Sequence, residues 1–305
     1  MHEITVKGIH KSLNENGYIC GVPFAASITS AIQTKPVSGA FLYGPAGTGK
    51  SFLPIVLSKT LGVEMFFYQC APGTREDDLV LKMLPSETTK SGVEIKKSTV
   101  FKAAEASHKN KVMLVLDEWD KTRPTADGFF LDFLQYGRLS IPGTDINANL
   151  DNMFIFFTAN DEREFHEALL RRFPKIDVNP LESSLVMSAL RLTHDGHPHL
   201  GNAIKLYEKA VMSGMSKPAT IQEIRQLLDA ISFLGKGADW NSLVYQFVTK
   251  TPENHSLLKD AQTTDYVPVD GNIAELDSKK FTGDIAKKKV KKKKIIMPTK
   301  IDYLT

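Results

Sequence analysis

Gly44-Pro45-Ala46-Gly47-Thr48-Gly49-Lys50-Ser51 matches the spacing G-x-x-x-x-G-K-[ST], and its reading decides the fold. The apolar run FLYG (41–44) leads into it and a helical pattern near 50–61 follows. Glycines at these positions let backbone N–H groups converge on phosphate oxygens without side chains in the way. A helix starting at Lys50 would point its positive end at the same phosphates. Lys50 is the residue type that reaches β- and γ-phosphates, and the Ser51 hydroxyl is a ligand for Mg²⁺. The octapeptide therefore implies a phosphate-binding site with Mg²⁺.

Working outward, four more short apolar runs follow: VEMFFY (63–68), VMLVL (112–116), MFIFF (153–157) and IDV (176–178). They do not alternate with polar residues, as expected of parallel strands covered on both faces. Helical patterns lie between them near 99–108, 125–136 and 163–171. Strand alternating with helix predicts an open α/β sheet over 39–179. Residues 180–250 carry only helical patterns (185–192, 203–214, 221–235, 240–248) and read as a small all-helical domain. Residues 1–38 are a mixed N-terminal segment. Residues 251–305 are polar, weakly patterned and read as a disordered basic tail.

The run 112–116 ends in Asp117-Glu118. Carboxylates at the carboxyl end of a buried strand stand where an α/β sheet places its ligand. Asp117 is expected to hold Mg²⁺ through the ion's water shell, and Glu118 to orient the attacking water or take its proton. Asp120 is read as a cap or a partner of Lys121, and Trp119 as packing.

The composition fits a soluble globular protein: of 305 residues, 42% are hydrophobic and 24% charged, which excludes collagen-like, wholly disordered and disulfide-scaffold classes. The net charge of +3 is local. Residues 251–305 hold eleven of the 38 basic and eight of the 35 acidic residues, so the remainder balances at 27 of each. Cys20 and Cys70 make neither a disulfide framework nor a zinc site and suit a reduced, cytoplasmic protein. No signal peptide and no 18-residue apolar run is present, so no membrane span is expected.

Five motifs in order, GPAGTGKS (44–51), LVLDEWDK (114–121), LDFLQYGRLSIPG (131–143), FFTAN (156–160) and ALLRRF (168–173), resemble those of the AAA+ ATPases, in particular the MoxR-like and dynein-related branch. The likeness covers about residues 20–235. It implies a helix and then a β-hairpin near 138–153. It makes Asn160 the sensor that contacts the attacking water or γ-phosphate. It makes Arg172, with Arg171 as runner-up, the arginine finger that completes a neighbouring subunit's site. The resemblance further implies a ring, most often a hexamer, and a protein client such as one with a von Willebrand factor A domain. A sensor arginine usual in the helical lid is replaced by Gln222; Arg225, one turn on, is the remaining candidate to touch nucleotide.

Two other features stay outside this machinery. His194-Asp195-Gly196-His197-Pro198-His199 is read as a solvated loop rather than a metal site, and Glu76-Asp77-Asp78 as the acidic first turn of a helix. The lysine cluster KKKVKKKK (287–294) is open to three readings: a solvated tail, a contact to an acidic protein, or a salt-sensitive contact to nucleic acid through residues 280–305. The last would make the protein a nucleic-acid motor or loader.

Overall fold

The five apolar runs form one parallel sheet with strand order β2-β5-β8-β1-β9. The computed structural model describes residues 4–85, 93–141, 144–160, 163–215 and 217–259, all within a compact unit running from Met1 to Asp265. The lysine cluster lies outside the described residues.

Two helices precede the sheet, α1 (Val6–Glu15) and α2 (Val22–Gln33). They stand where the sequence suggested only a mixed segment. Then come β1 (Ser38–Tyr43), α3 (Phe52–Leu61) and β2 (Glu64–Gln69). An antiparallel hairpin follows, β3 (Leu81–Pro85) with β4 (Val93–Lys97), which no apolar run announces. Next are α4 (Thr99–Ser107), β5 (Val112–Asp117) and α5 (Thr125–Tyr136). The hairpin expected near 138–153 is present as β6 (Arg138–Ile141) and β7 (Thr144–Asn147). The sheet closes with β8 (Met153–Ala159) and β9 (Lys175–Asp177). Between these two, the helix expected over 163–171 shrinks to α6 (Glu167–Leu170), because Arg163 and His166 bond to Asp127 instead of continuing a helix.

Every residue of β5 and of β8 is buried. Side chains alternate across the sheet. Leu114, Leu116, Ile155 and Phe157 join a core with α4 and α5, whereas Met113, Val115, Phe154 and Phe156 join another with α1, α2 and α3. Two covered faces explain why these strands lack polar alternation.

Residues 180–250 form α7 (Ser183–His194), α8 (Leu200–Met212), α9 (Ile221–Leu234) and α10 (Trp240–Val244), followed by a π-helical turn at Tyr245–Thr249. A further helix, α11 (Pro252–Lys259), adds Leu258 to their shared core. The stretch expected to be disordered from 251 is thus helical over Pro252–Lys259, and the remainder lies outside the described residues. A capping box starts α9: the Thr220 side chain accepts from Glu223 N and the Glu223 carboxylate accepts from Thr220 N.

The histidine loop also departs from the solvated reading. His194 lies against Asp229 on α9 (2.9 Å), and His197 against Ser232 (3.0 Å). No three His, Cys, Asp or Glu residues among those described could hold a metal ion. No helix among them is long and apolar enough to cross a membrane.

Candidate functional site

The carboxyl ends of β1, β5 and β8 bring the phosphate loop, the acidic pair and Asn160 to one edge of the sheet, where open α/β sheets bind ligands. Gly44, Gly47 and Gly49 all take positive φ (150°, 78° and 93°). Gly44 N donates to Ala159 O (3.3 Å), tying the loop to the end of β8. The helical ladder starts with Leu53 N to Gly49 O (3.0 Å), and α3 begins at Phe52, two residues later than the sequence suggested.

Two of these glycines are closely approached by side chains from elsewhere in the chain. A Cβ on Gly47 would lie 2.2 Å from Thr220 Cγ2, so the N-terminus of α9 sits directly on the loop. A Cβ on Gly49 would lie 3.3 Å from the ring of Tyr18, which packs with Phe24 and Phe52. Neither Thr220 nor Tyr18 was singled out in the sequence, since both contacts join residues far apart in the chain.

Lys50 is buried and its Nζ donates to Gly44 O (2.7 Å) and Pro45 O (2.6 Å). Burial pulls its ammonium below the ordinary lysine range. The carboxylates of Asp120, Asp117 and Glu118 oppose that shift, in this order of strength. Carbonyl oxygens are weak partners for a cation compared with phosphate, so Lys50 is held close to where a phosphate would bind without being neutralised. Ser51 is half-buried at the start of α3.

Asp117 is buried and its Oδ1 accepts from Thr158 Oγ1 (2.6 Å). Thr158 Oγ1 in turn accepts from Glu118 N (2.9 Å). This single hydroxyl on β8 sets the position of both acids at the end of β5. Glu118 is half-buried and adopts a left-handed backbone (φ 54°), which turns the chain sharply after the strand. Gln69, at the end of β2, reaches Glu118 Oε2 at 3.5 Å.

Asp120 does more than pair with Lys121 (3.8 Å): it is buried, and its Oδ1 accepts from Asn160 N (3.2 Å). Trp119 packs as expected, against Phe130 and Phe157, and its Nε1 donates to Asp127 Oδ1 (2.8 Å). Arg163 grips Asp127 through both carboxylate oxygens (2.8 and 3.0 Å) and also donates to Thr122 Oγ1. Asp127 is a carboxylate on the apolar face of α5, and that was the only sequence signal for this node.

Arg171 and Arg172 are both exposed. Arg172 Nη2 donates to Gln135 Oε1 (3.0 Å), and the adjacent Phe173 is anchored against Phe157. Arg171 pairs with Glu167 within its own helix. Arg225 Nη2 donates to Ala189 O (2.8 Å) on α7, and Thr220 at the start of α9 packs on Gly47 of the loop.

The glycine cradle and the buried lysine beside three carboxylates fit a phosphate-bearing ligand with a divalent cation. Residues 39–173 match the family described as AAA domain (dynein-related subfamily). A search of curated proteins finds no match. Among solved structures, the closed state of Hsp104 determined with ATPγS and FITC-casein shares 14% identity with a TM-score of 0.52. That match covers 74% of this chain and 46% of the Hsp104 chain, a likeness of fold. On this match, residues 39–173 carry an AAA domain of the dynein-related subfamily, built on the five-stranded parallel sheet.

Proposed function

We propose that the protein binds and hydrolyses ATP with Mg²⁺ as a ring of identical subunits, a hexamer, and uses the cycle to remodel a partner protein in the cytoplasm. One observation carries the reading: Lys50, Asp117, Glu118 and Asn160 converge on one sheet edge, while Arg172 stands exposed elsewhere on the same domain.

The backbone N–H groups of 44–51 and the Lys50 ammonium bind the phosphates. Ser51 and Asp117 would hold Mg²⁺, which supplies neutralisation of phosphate charge. Glu118 orients water and accepts its proton, and Asn160 offers an amide donor to phosphate and an amide oxygen to water. Arg172 of one subunit stabilises charge in the site of the next. Thr220 couples the loop to α9, so a change at Gly47 is felt by the helical lid. The resemblance to the MoxR-like and dynein-related branch supports a protein client, for which a protein with a von Willebrand factor A domain is the candidate to test.

The test is Glu118→Gln. It should keep ATP binding, abolish turnover and trap the client in a pull-down with ATP; wild-type turnover from this variant would remove the reading. The second reading, a nucleic-acid motor, is favoured by the seven lysines of 287–294. It requires DNA or RNA to stimulate ATPase activity at moderate salt, and that stimulation to vanish without residues 280–305.

A further inference from the structure

Every residue of β8 is buried, and Thr158 carries the one hydroxyl in it. A valine there would fill the same space with no polar atom to satisfy, so the hydroxyl needs partners. It donates to Asp117 Oδ1 (2.6 Å) and accepts from Glu118 N (2.9 Å). These two bonds fix the direction of the proton. A backbone N–H can only donate, so the single proton of Oγ1 points at Asp117 and makes Oδ1 an acceptor. The chain of bonds runs one way, from Glu118 N through Thr158 to Asp117.

The hydroxyl stands where the backbone ladder stops. The pairing of β5 with β8 ends at Leu116 and Phe157, so the two acids lie just beyond its last rung. On its other side β8 stays paired with β1 through Leu42–Thr158 and Tyr43–Ala159, and Gly44 N donates to Ala159 O (3.3 Å). Alternation sets Thr158 and Asp117 on the face of Phe156 and Val115, which packs with α3, the helix that follows the phosphate loop. Thr158 is thus tied by its backbone to the strand that enters the loop and by its side chain to the acids. Branching at Cβ restricts its χ1, which keeps that spacing stiff. Among the described residues, no other hydrogen bond holds the Asp117 side chain or Glu118 N.

We propose that Thr158 is a positioning residue of the hydrolytic centre: its hydroxyl sets the spacing of Asp117 and Glu118 from the phosphate loop. The inference rests on the ATPase reading. Thr158→Ser keeps the hydroxyl, Thr158→Val keeps the shape without it, and Thr158→Cys leaves a weak donor in its place.

The test compares wild type, the three Thr158 variants and Glu118→Gln in three measurements: affinity for a fluorescent ATP analogue with and without Mg²⁺, turnover against ATP, and thermal unfolding of the nucleotide-free protein. In Thr158→Val, affinity without Mg²⁺ stays within about twofold of wild type, while the gain that Mg²⁺ brings falls about fivefold or more, the size expected for losing a hydrogen bond to a charged group. Its kcat falls about tenfold or more with KM for ATP changed less than about threefold. Thr158→Cys lies between, and Thr158→Ser recovers kcat and the Mg²⁺ gain to within about threefold of wild type. Wild-type kcat and Mg²⁺ gain in a folded Thr158→Val or Thr158→Cys overturn the proposal. A serine variant as impaired as the valine one overturns it too, by giving the role to the methyl group. So does a loss of kcat no larger than the fraction unfolded at the assay temperature. If Thr158→Val does not fold, the cysteine and serine variants decide by the same criteria, and a cysteine variant that also fails to fold overturns it by showing a structural role. Absence of Mg²⁺-dependent nucleotide binding by wild type, or turnover unaffected by Glu118→Gln, instead removes the ATPase reading beneath it.

Discussion

Thr220, the N-cap of α9, rests on Gly47 so closely that a Cβ at 47 would lie 2.2 Å from Thr220 Cγ2. Helix α9 therefore meets the loop through a methyl group packed on bare backbone. Gly47→Ala is expected to destabilise the protein by about 1–3 kcal/mol, from overpacking and a strained positive φ together. It should also weaken ATP binding at least tenfold in equilibrium titration. Thr220→Gly in the same chain should recover part of the stability, and no recovery would show that strain at φ 78° dominates.

Arg172 is exposed and donates to Gln135 Oε1. Its replacement by Ala should leave ATP affinity within about twofold and lower turnover at least a hundredfold, the range seen for arginine fingers. Specific activity of the wild type should rise with protein concentration as subunits assemble. Turnover at the wild-type rate in Arg172→Ala would assign the finger elsewhere, Arg171 being the next to test.

The Arg163–Asp127 pair is nearly enclosed, with side chains 14% and 2% exposed. Removing one partner strands the other charge, so Arg163→Ala should cost about 3–5 kcal/mol by chemical denaturation. The Trp119 indole loses its fixed partner if Asp127 moves, and its fluorescence reports the change. A loss under 1 kcal/mol would mean that water reaches Asp127 in the variant.

His197 is held below its ordinary value by burial first and then by its neighbours His199 and His194, while Asp229 opposes the shift. Its Nδ1 accepts from His199 N (3.1 Å), which requires that nitrogen to be unprotonated. The unfolded chain takes up a proton near pH 6.5 and the folded one does not, so stability falls as pH drops below about 6.5 toward the folded value. The unfolding temperature should decrease from pH 7.5 to 5.5, and His197→Gln should shrink that decrease. An equal decrease in both proteins would place the acid sensitivity in another group.

Much of the site was legible because its chemistry is local. The loop 44–51 and the pair Asp117-Glu118 each lie within a few residues, and the apolar strands beside them place both at strand ends. Arg171 and Arg172 were readable only as a pair before Phe173. Asp120 pairs with Lys121 as its place in the sequence suggested, but its second contact, to Asn160 forty residues away, was not legible. The bond of Arg225 to Ala189 O on α7, thirty-six residues away, was likewise not legible. The polar hairpin β3–β4 and the helices α1 and α2 offered no apolar run that separates them from loop.

The sequence by itself determined the parallel sheet, the phosphate loop and the acids at the end of β5, since each follows from short-range pattern: continuous apolar runs, glycine spacing and carboxylates at a strand terminus. Only the tertiary structure decided which side chains are joined across it. Thr158 orders Asp117 and Glu118, Asp120 holds Asn160, Arg163 locks Asp127, and Thr220 closes on Gly47. Those contacts link residues dozens to more than a hundred positions apart. They exist because burying both faces of one sheet brings the ends of β5 and β8 side by side and sets α9 over the loop, which no local pattern specifies.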